Sequence, residues 1–290
     1  MRSKPEWKAL AMATVLAASC PLSAAAIGTV TDGDVTFGYT NDFNTSRGNT
    51  VDTDFIGAAP GDQTWESWWF FRVAGDRSET AFGTPDIENY SLFGGTVGRL
   101  DWNDPGGAGL FSAALAFEVR DTGVDQGLLF QQLTIVNTGP APLTIDLFHY
   151  SDLDLATSFG GDSASVIPNP DGLEVSITDG TNFAPIIGYD ATAYQISAYN
   201  GVLRDLTDNN RDDLDNSGDG FGPGDVTVAF QWSATIGVGE SLGFLTQFGS
   251  DTPLAPPSTS LVPEPGTALL MGLGLGMLGA ARRAARSGSA

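Results

Sequence analysis

Carboxylates are almost the only residues of this chain that could do chemistry. The 290 residues include 35 aspartates and glutamates, but a single histidine, His149, and a single cysteine, Cys20. One histidine severely limits histidine-dependent catalysis, and the sequence contains no GxSxG, no HExxH and no phosphate-binding glycine loop. We therefore predict no catalytic residues and a protein that is not an enzyme. A carboxylate pair for glycoside hydrolysis remains an alternative, because its two acids need not be close in sequence.

The best candidate for metal binding is the acidic segment LTDNNRDDLDNSGDGFGPGD at residues 206–225. Its spacing resembles the calcium loops of EF-hand and dockerin modules. The predicted calcium ligands are Asp208, Asn210, Asp212 and Asp219. The segment departs from those modules at Asp213, which stands where glycine is expected, and it leads into a strand instead of a helix. Calcium is the only cofactor that the sequence suggests, and a solvated acidic loop is the alternative.

A second acidic pair ends the segment LTIDLFHYSDLDL at residues 143–155. Alternation along a strand places His149 on a mostly apolar face. The aliphatic residues of that face are Ile145, Leu147 and Leu153. We expect His149 to be a hydrogen-bonded core residue. Asp152 and Asp154 fall on the other face, where adjacent carboxylates could hold a cation or face water.

The densest aromatic stretch is TWESWWFFRV at residues 64–73. A sugar-binding protein could use such rings as a stacking platform, and the candidates are Trp65, Trp68 and Trp69. The alternative is that a large β domain buries these rings in its core.

The charge of the chain limits its partners. The formal net charge is −22, and residues 27–264 contain seven arginines against 34 acidic residues. Such a surface repels phosphate backbones and anionic lipid headgroups. We therefore expect no nucleic-acid partner and no peripheral membrane role.

Short alternating segments separated by turn residues predict an all-β fold from residue 27 to 250. About ten to twelve strands fit a single two-layer antiparallel β-sandwich, immunoglobulin-like or jelly-roll-like. The turn NTGPAP resembles turns in secreted bacterial immunoglobulin-like sandwiches. We expect a hairpin over 128–155 and a final strand pair formed by 226–232 and 241–248. A Pro/Ser-rich linker, 251–262, follows the domain.

The N-terminus has the three parts of an export signal. Basic residues precede a short apolar run, and Ala24 and Ala26 have the spacing that signal peptidase prefers. We predict a signal helix within residues 1–26 that is removed to leave Ile27 first. Lipid attachment at Cys20 is the alternative.

The C-terminal segment 263–290 also has three parts. Pro263, Glu264 and Pro265 form an extended motif before a short apolar helix over Thr267–Ala281. That helix would be about 22 Å long against a hydrocarbon core of about 30 Å. The basic residues that would stop transfer in the cytoplasm are Arg282, Arg283 and Arg286.

This arrangement resembles the PEP-CTERM sorting signal of Gram-negative bacteria. The resemblance implies export by the Sec pathway with signal peptidase, and transient insertion in the inner membrane with the body periplasmic. It further implies exosortase processing near Pro263-Glu264-Pro265 and a final location at the cell surface or outside. An ordinary single-pass anchor is the alternative.

Members of this family often accompany exopolysaccharide production and biofilm formation, which implies a structural or adhesive role in the matrix. Exopolysaccharide is then a candidate partner. A secreted carbohydrate-binding protein is the second interpretation, and a polysaccharide-active enzyme is the third.

Overall fold

The computed structural model describes residues 28–40, 43, 45, 51, 53–57, 61–155 and 158–256. These residues form 17 strands and one short helix. The paired strands are antiparallel throughout the three sheets. The all-β, antiparallel prediction is confirmed. Its finer part, an immunoglobulin-like or jelly-roll-like sandwich in a single domain, stays a prediction.

The strands form sheets of five, nine and three members. The five-stranded sheet has the order β14 (Ala193–Ala198), β16 (Val226–Ile236), β10 (Leu143–Leu153), β4 (Thr64–Val73) and β5 (Thr80–Ala81). The nine-stranded sheet has the order β15 (Phe221–Gly224), β11 (Asp162–Asn169), β12 (Gly172–Asp179), β13 (Asn182–Tyr189), β17 (Ser241–Ser250), β9 (Gln126–Asn137), β8 (Phe111–Gly123), β7 (Val97–Trp102) and β6 (Ile87–Leu92). The small sheet contains β1 (Gly28–Asp32), β2 (Val35–Tyr39) and β3 (Thr53–Gly57).

Alternation along β10 and β4 sets the core between the two large sheets. The register places His149 opposite Trp69, and Phe71 lies two residues further on the same face. Trp69 Nε1 donates to Gln131 Oε1 of β9 at 3.2 Å. Phe71 packs edge-on against Phe111 of β8, with ring centroids 5.2 Å apart. The odd-numbered face of β10 therefore points to the nine-stranded sheet, as its apolar pattern predicts.

The opposite face of the five-stranded sheet is partly covered by the helix α1 (Gly201–Thr207), which contacts β14 and β16. Val202, Leu203 and Leu206 are the buried residues of this helix. The even-numbered residues of β10, among them Asp146 and Asp152, lie on this second face. Polar groups at both ends of β10 are thus placed on a face that the helix covers only in part.

Neither predicted hairpin forms. β9 pairs with β8 and β17, whereas β10 pairs with β4 and β16. The segment 128–155 therefore crosses from one large sheet to the other, and so does the segment from 226 to 248. Pro140 and Pro142 lie in the first crossing and lack the N–H that a continued ladder needs. The turn NTGPAP therefore leads into the other large sheet instead of back along β9.

The two crossings are joined at Asn137, which is buried. Its backbone N–H donates to the carbonyl of Glu240 at 3.0 Å, and its carbonyl accepts from Gly239 at 3.0 Å. Its side-chain Nδ2 donates to the carbonyls of Ala141 and Ile236 at 2.8 and 2.9 Å. One asparagine thus satisfies backbone groups of both crossings, which lie side by side.

Both predicted targeting segments, 1–26 and 263–290, lie outside the described residues. Among the residues that the structure does describe, no helix is long and apolar enough to cross a membrane. The linker 251–262 is described only as far as residue 256. The domain boundaries therefore stay predictions.

Candidate functional site

Three aspartates converge where β10 ends and β16 begins. Each of Asp152, Asp154 and Asp225 offers a carboxylate oxygen, and these oxygens lie within 4.8 Å of one another. In the described part of the chain, this is the one group of three or more histidine, cysteine or acidic residues placed so closely. We call it the aspartate cluster.

Antiparallel pairing brings the aspartate cluster together. Asp152 lies opposite Thr227 of β16, so the residue that precedes β16, Asp225, comes beside the end of β10. On its other side, Asp152 lies opposite Glu66 of β4. Asp154 follows β10 directly, and its backbone N–H donates to the carbonyl of Gln63 at 3.2 Å. The register of the paired strands thus brings together Asp154 and Asp225, which are about 70 residues apart in sequence.

A cavity of about 230 Å³ opens beside the aspartate cluster. Its other lining residues are aromatic: Trp65, Phe159 and Tyr199. Their exposed fractions are 53%, 77% and 46%, so all three rings face solvent although such rings are usually covered. Pockets that combine apolar rings with a few convergent polar groups are typical of small-molecule sites.

The electrostatics of the cluster are those of uncompensated negative charge. Burial raises the pKa of Asp152 to about 8, and the charges of Asp225 and Asp154 add to the rise. Burial, with the charge of Asp225, raises the pKa of Asp154 to about 6. The ion pairs found among the described residues all lie elsewhere, so no arginine in that part of the chain neutralises the three carboxylates.

Two buried carboxylates at this place have oxygens with no hydrogen-bond partner among the described residues. Asp152 is 1% exposed, and its Oδ1 has none. Asp162 of β11 is fully buried, and neither of its carboxylate oxygens has one. Its strand pairs with β15 at Gly224, next to Asp225. Burial, followed by the charges of neighbouring aspartates, raises the pKa of Asp162 to about 7. Unpartnered buried carboxylates are costly, which is why they mark a place where a ligand can be held.

A second acidic group lies at the other end of the same face and contains an arginine. The Arg72 side chain is 1% exposed. Its Nη1 donates to Glu79 Oε1 at 2.5 Å and to the carbonyl of Asp212 at 2.6 Å. Its Nη2 donates to Asp146 Oδ2 at 2.6 Å and to Asp213 Oδ1. We call these residues the Arg72 network. It ties the acidic loop to β4 and β10.

The four predicted calcium ligands are not gathered into one site. Asp208 accepts hydrogen bonds from the backbone and side chain of Asn210. The backbone N–H of Asp212 donates to Glu79 Oε1 at 3.1 Å. Asp219 Oδ1 accepts from the backbone N–H of Val166 on β11 at 2.9 Å. Calcium binding by these four residues stays a prediction, although Asp219 lies apart from the other three in its contacts.

Burial corrects the prediction for the aromatic stretch. Trp68 and Trp69 are each 1% exposed, so their rings are not available for a sugar. Trp68 Nε1 donates to the carbonyl of Phe82 at 2.7 Å, which fixes that ring in the core. Trp65 is the only one of the three that presents its ring to solvent. The stacking prediction is therefore narrowed to Trp65.

His149 lies in the core, as the alternation predicts. It is 2% exposed and hydrogen bonds through Nε2 to Ser67 Oγ at 3.2 Å. Burial lowers its pKa to about 3, so the ring stays neutral. Its Nδ1 has no hydrogen-bond partner.

Sequence reasoning named Asp152 and Asp154 as a cation candidate but missed the third member. Asp225 was counted as part of the acidic loop, and Phe159 and Tyr199 were not considered. The available signal was the position of Asp225 directly before the strand VTVAFQW. Residues at the ends of neighbouring strands meet at one sheet edge, but the pairing of β10 with β16 was not known.

The predicted sorting residues, 263–265, lie outside the described residues. They were compared with known protein families through the sequence. A model of the PEP-CTERM protein-sorting motif matches residues 261–287. This chain carries a PEP-CTERM sorting motif. The match includes Pro263-Glu264-Pro265, the apolar run and the arginines Arg282, Arg283 and Arg286. The motif supports an exported protein that is processed by exosortase and has a membrane-anchored C-terminal sorting signal. The predicted signal-peptide residues, Ala24 and Ala26, stay predictions.

Solved structures share the fold of this PEP-CTERM protein at very low identity. A bacterial glucoamylase complexed with acarbose aligns with a TM-score of 0.54 and 11% identity, over 79% of this chain and 33% of that one. A galactose mutarotase related enzyme from Lactobacillus acidophilus aligns with a TM-score of 0.53 and 9% identity, over 80% of this chain and 99% of that one. The chain thus spans about a third of the glucoamylase. No curated protein sequence matches it. These likenesses concern the fold alone.

Proposed function

We propose that this protein is delivered to the cell surface or the extracellular matrix, where it binds polysaccharide at the cavity beside the aspartate cluster. The observation that carries the proposal is the exposed ring of Trp65 next to three carboxylates. Aromatic faces stack on the apolar faces of sugar rings, and carboxylate oxygens accept hydrogen bonds from sugar hydroxyls.

The proposal combines two interpretations of the sequence. A structural or adhesive role needs a surface that holds a matrix component, and an open cavity with aromatic walls provides one. Similarly folded proteins include a glucoamylase complexed with acarbose, but a shared fold assigns no function. The residues of the cavity therefore support the proposal more than the fold does.

Binding is tested with exopolysaccharide from the producing cells and with a glycan array. We expect Trp65→Ala to weaken binding about tenfold, because the lost stacking contact is worth about 1 kcal/mol or more. Trp65→Phe should retain most of the affinity. The matched control is Phe93→Ala, which removes another exposed ring, 74% exposed, in the turn between β6 and β7.

Equal binding by wild type and Trp65→Ala would contradict the proposal, as would the absence of any glycan ligand. Release of reducing ends during the assay would instead show a polysaccharide-active enzyme. The fold and the sorting motif are compatible with either result, so this assay decides between a binding protein and an enzyme.

Delivery is tested at the sorting motif. A plain anchor tolerates hydrophilic residues outside the hydrocarbon, whereas a protease site depends on its side chains. We expect alanine at positions 263, 264 and 265 to leave export intact and to trap the protein in the inner membrane with Arg282 and Arg283 attached. The intact mass of the mature wild-type protein should begin at Ile27 and end near Gly266. Mature wild-type protein that still contained Arg282, from a strain with an exosortase, would show a plain anchor.

A further inference from the structure

We propose that the aspartate cluster binds a calcium ion, held by carboxylate oxygens of Asp152, Asp154 and Asp225. None of these three residues is among the four calcium ligands that the sequence predicts, although Asp225 is the last residue of the acidic segment 206–225. The proposal does not rest on polysaccharide binding, because its ligands are three side chains of the protein.

The distances fit calcium. Calcium binds oxygen ligands at about 2.3–2.6 Å, so two oxygens on opposite sides of one ion lie about 5 Å apart. The cluster offers three oxygens within 4.8 Å of one another, inside that limit. A set of aspartates with no histidine or cysteine is a hard-oxygen donor set, which suits calcium better than zinc or copper.

The second observation is one oxygen of the buried Asp152 carboxylate, Oδ1, which has no hydrogen-bond partner among the described residues. Asp152 is 1% exposed and lines the cavity. A carboxylate removed from water costs free energy unless it is paired, hydrogen-bonded or bound to a metal. Among the described residues, the arginines that form ion pairs serve other carboxylates. A bound cation would be a partner for the Asp152 oxygen that has none in the described part of the chain.

The surrounding charge strengthens the attraction for a cation. Glu66 lies opposite Asp152 on β4, and its charge acts on Asp152. Asp162 senses the charges of Asp154 and Asp225. Acidic groups of β4, β10 and β11 and the residue before β16 thus act on one another through their charges, and a cation would relieve that repulsion. The cavity leaves coordination positions for water or for hydroxyl groups of a ligand.

Calcium binding is tested by isothermal titration of the mature protein after treatment with EDTA. We expect one site with a dissociation constant near about 0.1–1 mM, the range of extracellular calcium modules. Asp154→Asn and Asp225→Asn should each weaken binding at least about tenfold, because each removes a charged ligand of a hard cation. Both residues are partly exposed, so the asparagine variants should fold, which circular dichroism checks.

The matched control is Asp208→Asn, which removes a carboxylate from the acidic loop and should leave calcium binding at the aspartate cluster as it is in the wild type. Trp65→Ala should also bind calcium normally. The two proposals can therefore fail separately. If the wild-type protein binds calcium but no glycan, polysaccharide binding is contradicted and the calcium site still stands.

A luminescence measurement needs no carboxylate variant. Terbium occupies calcium sites and is excited by energy transfer from a nearby indole, and Trp65 lines the same cavity. We expect terbium emission on tryptophan excitation, displaced by calcium and strongly reduced in Trp65→Phe. Three results would overturn the proposal: no calcium binding at about 10 mM, binding of magnesium in preference to calcium, or loss of binding in Asp208→Asn but not in Asp225→Asn.

Discussion

Arg72 and Asp152 lie at opposite ends of one face of the five-stranded sheet, and each is surrounded by carboxylates. Arg72 pairs with Asp146 across β4 and β10, and Asp152 lies six residues beyond Asp146 on β10. That is about 20 Å along the strand. At one end a buried guanidinium neutralises the acids. At the other end no basic side chain of the described residues does so.

Acidic side chains have two roles on this face. Those of the Arg72 network stabilise the fold, and those of the aspartate cluster are available to bind a ligand. In the Arg72 network each nitrogen of the guanidinium donates to a carboxylate, and the network fixes the acidic loop. In the aspartate cluster the charges face a cavity, and Asp152 has an unpartnered oxygen. Both groups are acidic, so composition does not distinguish them. The position of Arg72 does.

Removing Arg72 should produce the largest effect. Arg72→Met leaves the buried Glu79 carboxylate without its ion-pair partner and removes one of the partners of the partly buried Asp146, so we expect the free energy of unfolding to fall by about 3–5 kcal/mol. Urea denaturation measures this loss. Arg99→Met is the control, because Arg99 forms a partly exposed ion pair with Asp101, for which we expect about 0–1 kcal/mol. Similar losses in both variants would show that the Arg72 network is not the stabilising group.

The opposite, inner face of β10 also contains a buried titratable group, His149, which is neutral. The pKa of an unfolded histidine is near 6.5, and burial lowers the folded value to about 3. Between these values the unfolded state binds a proton that the folded state does not, so stability falls as the pH falls. The slope is about 1.4 kcal/mol per pH unit, or about 2–3 kcal/mol from pH 6.5 to 4.5.

This contribution is measured as the difference between wild type and His149→Leu, because the carboxylates titrate in both proteins and cancel. The variant should lose less stability than wild type on acidification, and glycan binding should be unchanged. If the free energy of unfolding depended on pH in the same way in both proteins, His149 would take up its proton equally well in the folded and the unfolded state. Loss of glycan binding at unchanged stability would instead give His149 a functional role.

The smallest expected effect comes from neutralising one acid in each group. Glu79→Gln should lower the free energy of unfolding by about 1–3 kcal/mol, because it weakens charged hydrogen bonds to Arg72. Asp152→Asn in calcium-free buffer should stay within about 1 kcal/mol of wild type, since no cationic side chain depends on it. Thermal unfolding of both variants with EDTA checks this contrast. A larger loss for Asp152→Asn than for Glu79→Gln would reverse the assignment of the two groups.

Much of the fold could be predicted from the sequence. The strands predicted at 226–232 and 241–248 lie within β16 and β17, because alternation and turn residues act locally. The sheet in which each strand lies could not be predicted. Asn137 joins two crossings whose hydrogen-bonded residues are 99 positions apart in sequence, and such a contact leaves no local pattern.

Only part of the candidate site could be predicted, because its members come together through long-range strand pairing. Asp152 and Asp154 stand out because they end an alternating strand. Asp225 joins them only through the pairing of β10 with β16, and the sequence placed it in an acidic loop instead. Exposure also depends on the whole fold: Trp65 and Trp69 are four residues apart, yet only Trp65 faces solvent.

The position of β17 has a consequence for the order of events during export. This strand, the last described, lies inside the nine-stranded sheet between β13 and β9. A chain that crosses a membrane N-terminus first leaves the edges of β9 and β13 open until residues 241–250 have followed. Pro263 comes only 13 positions after Ser250. In a chain exported in this order, the sheet therefore closes only after nearly all of the residues that precede the sorting motif have crossed.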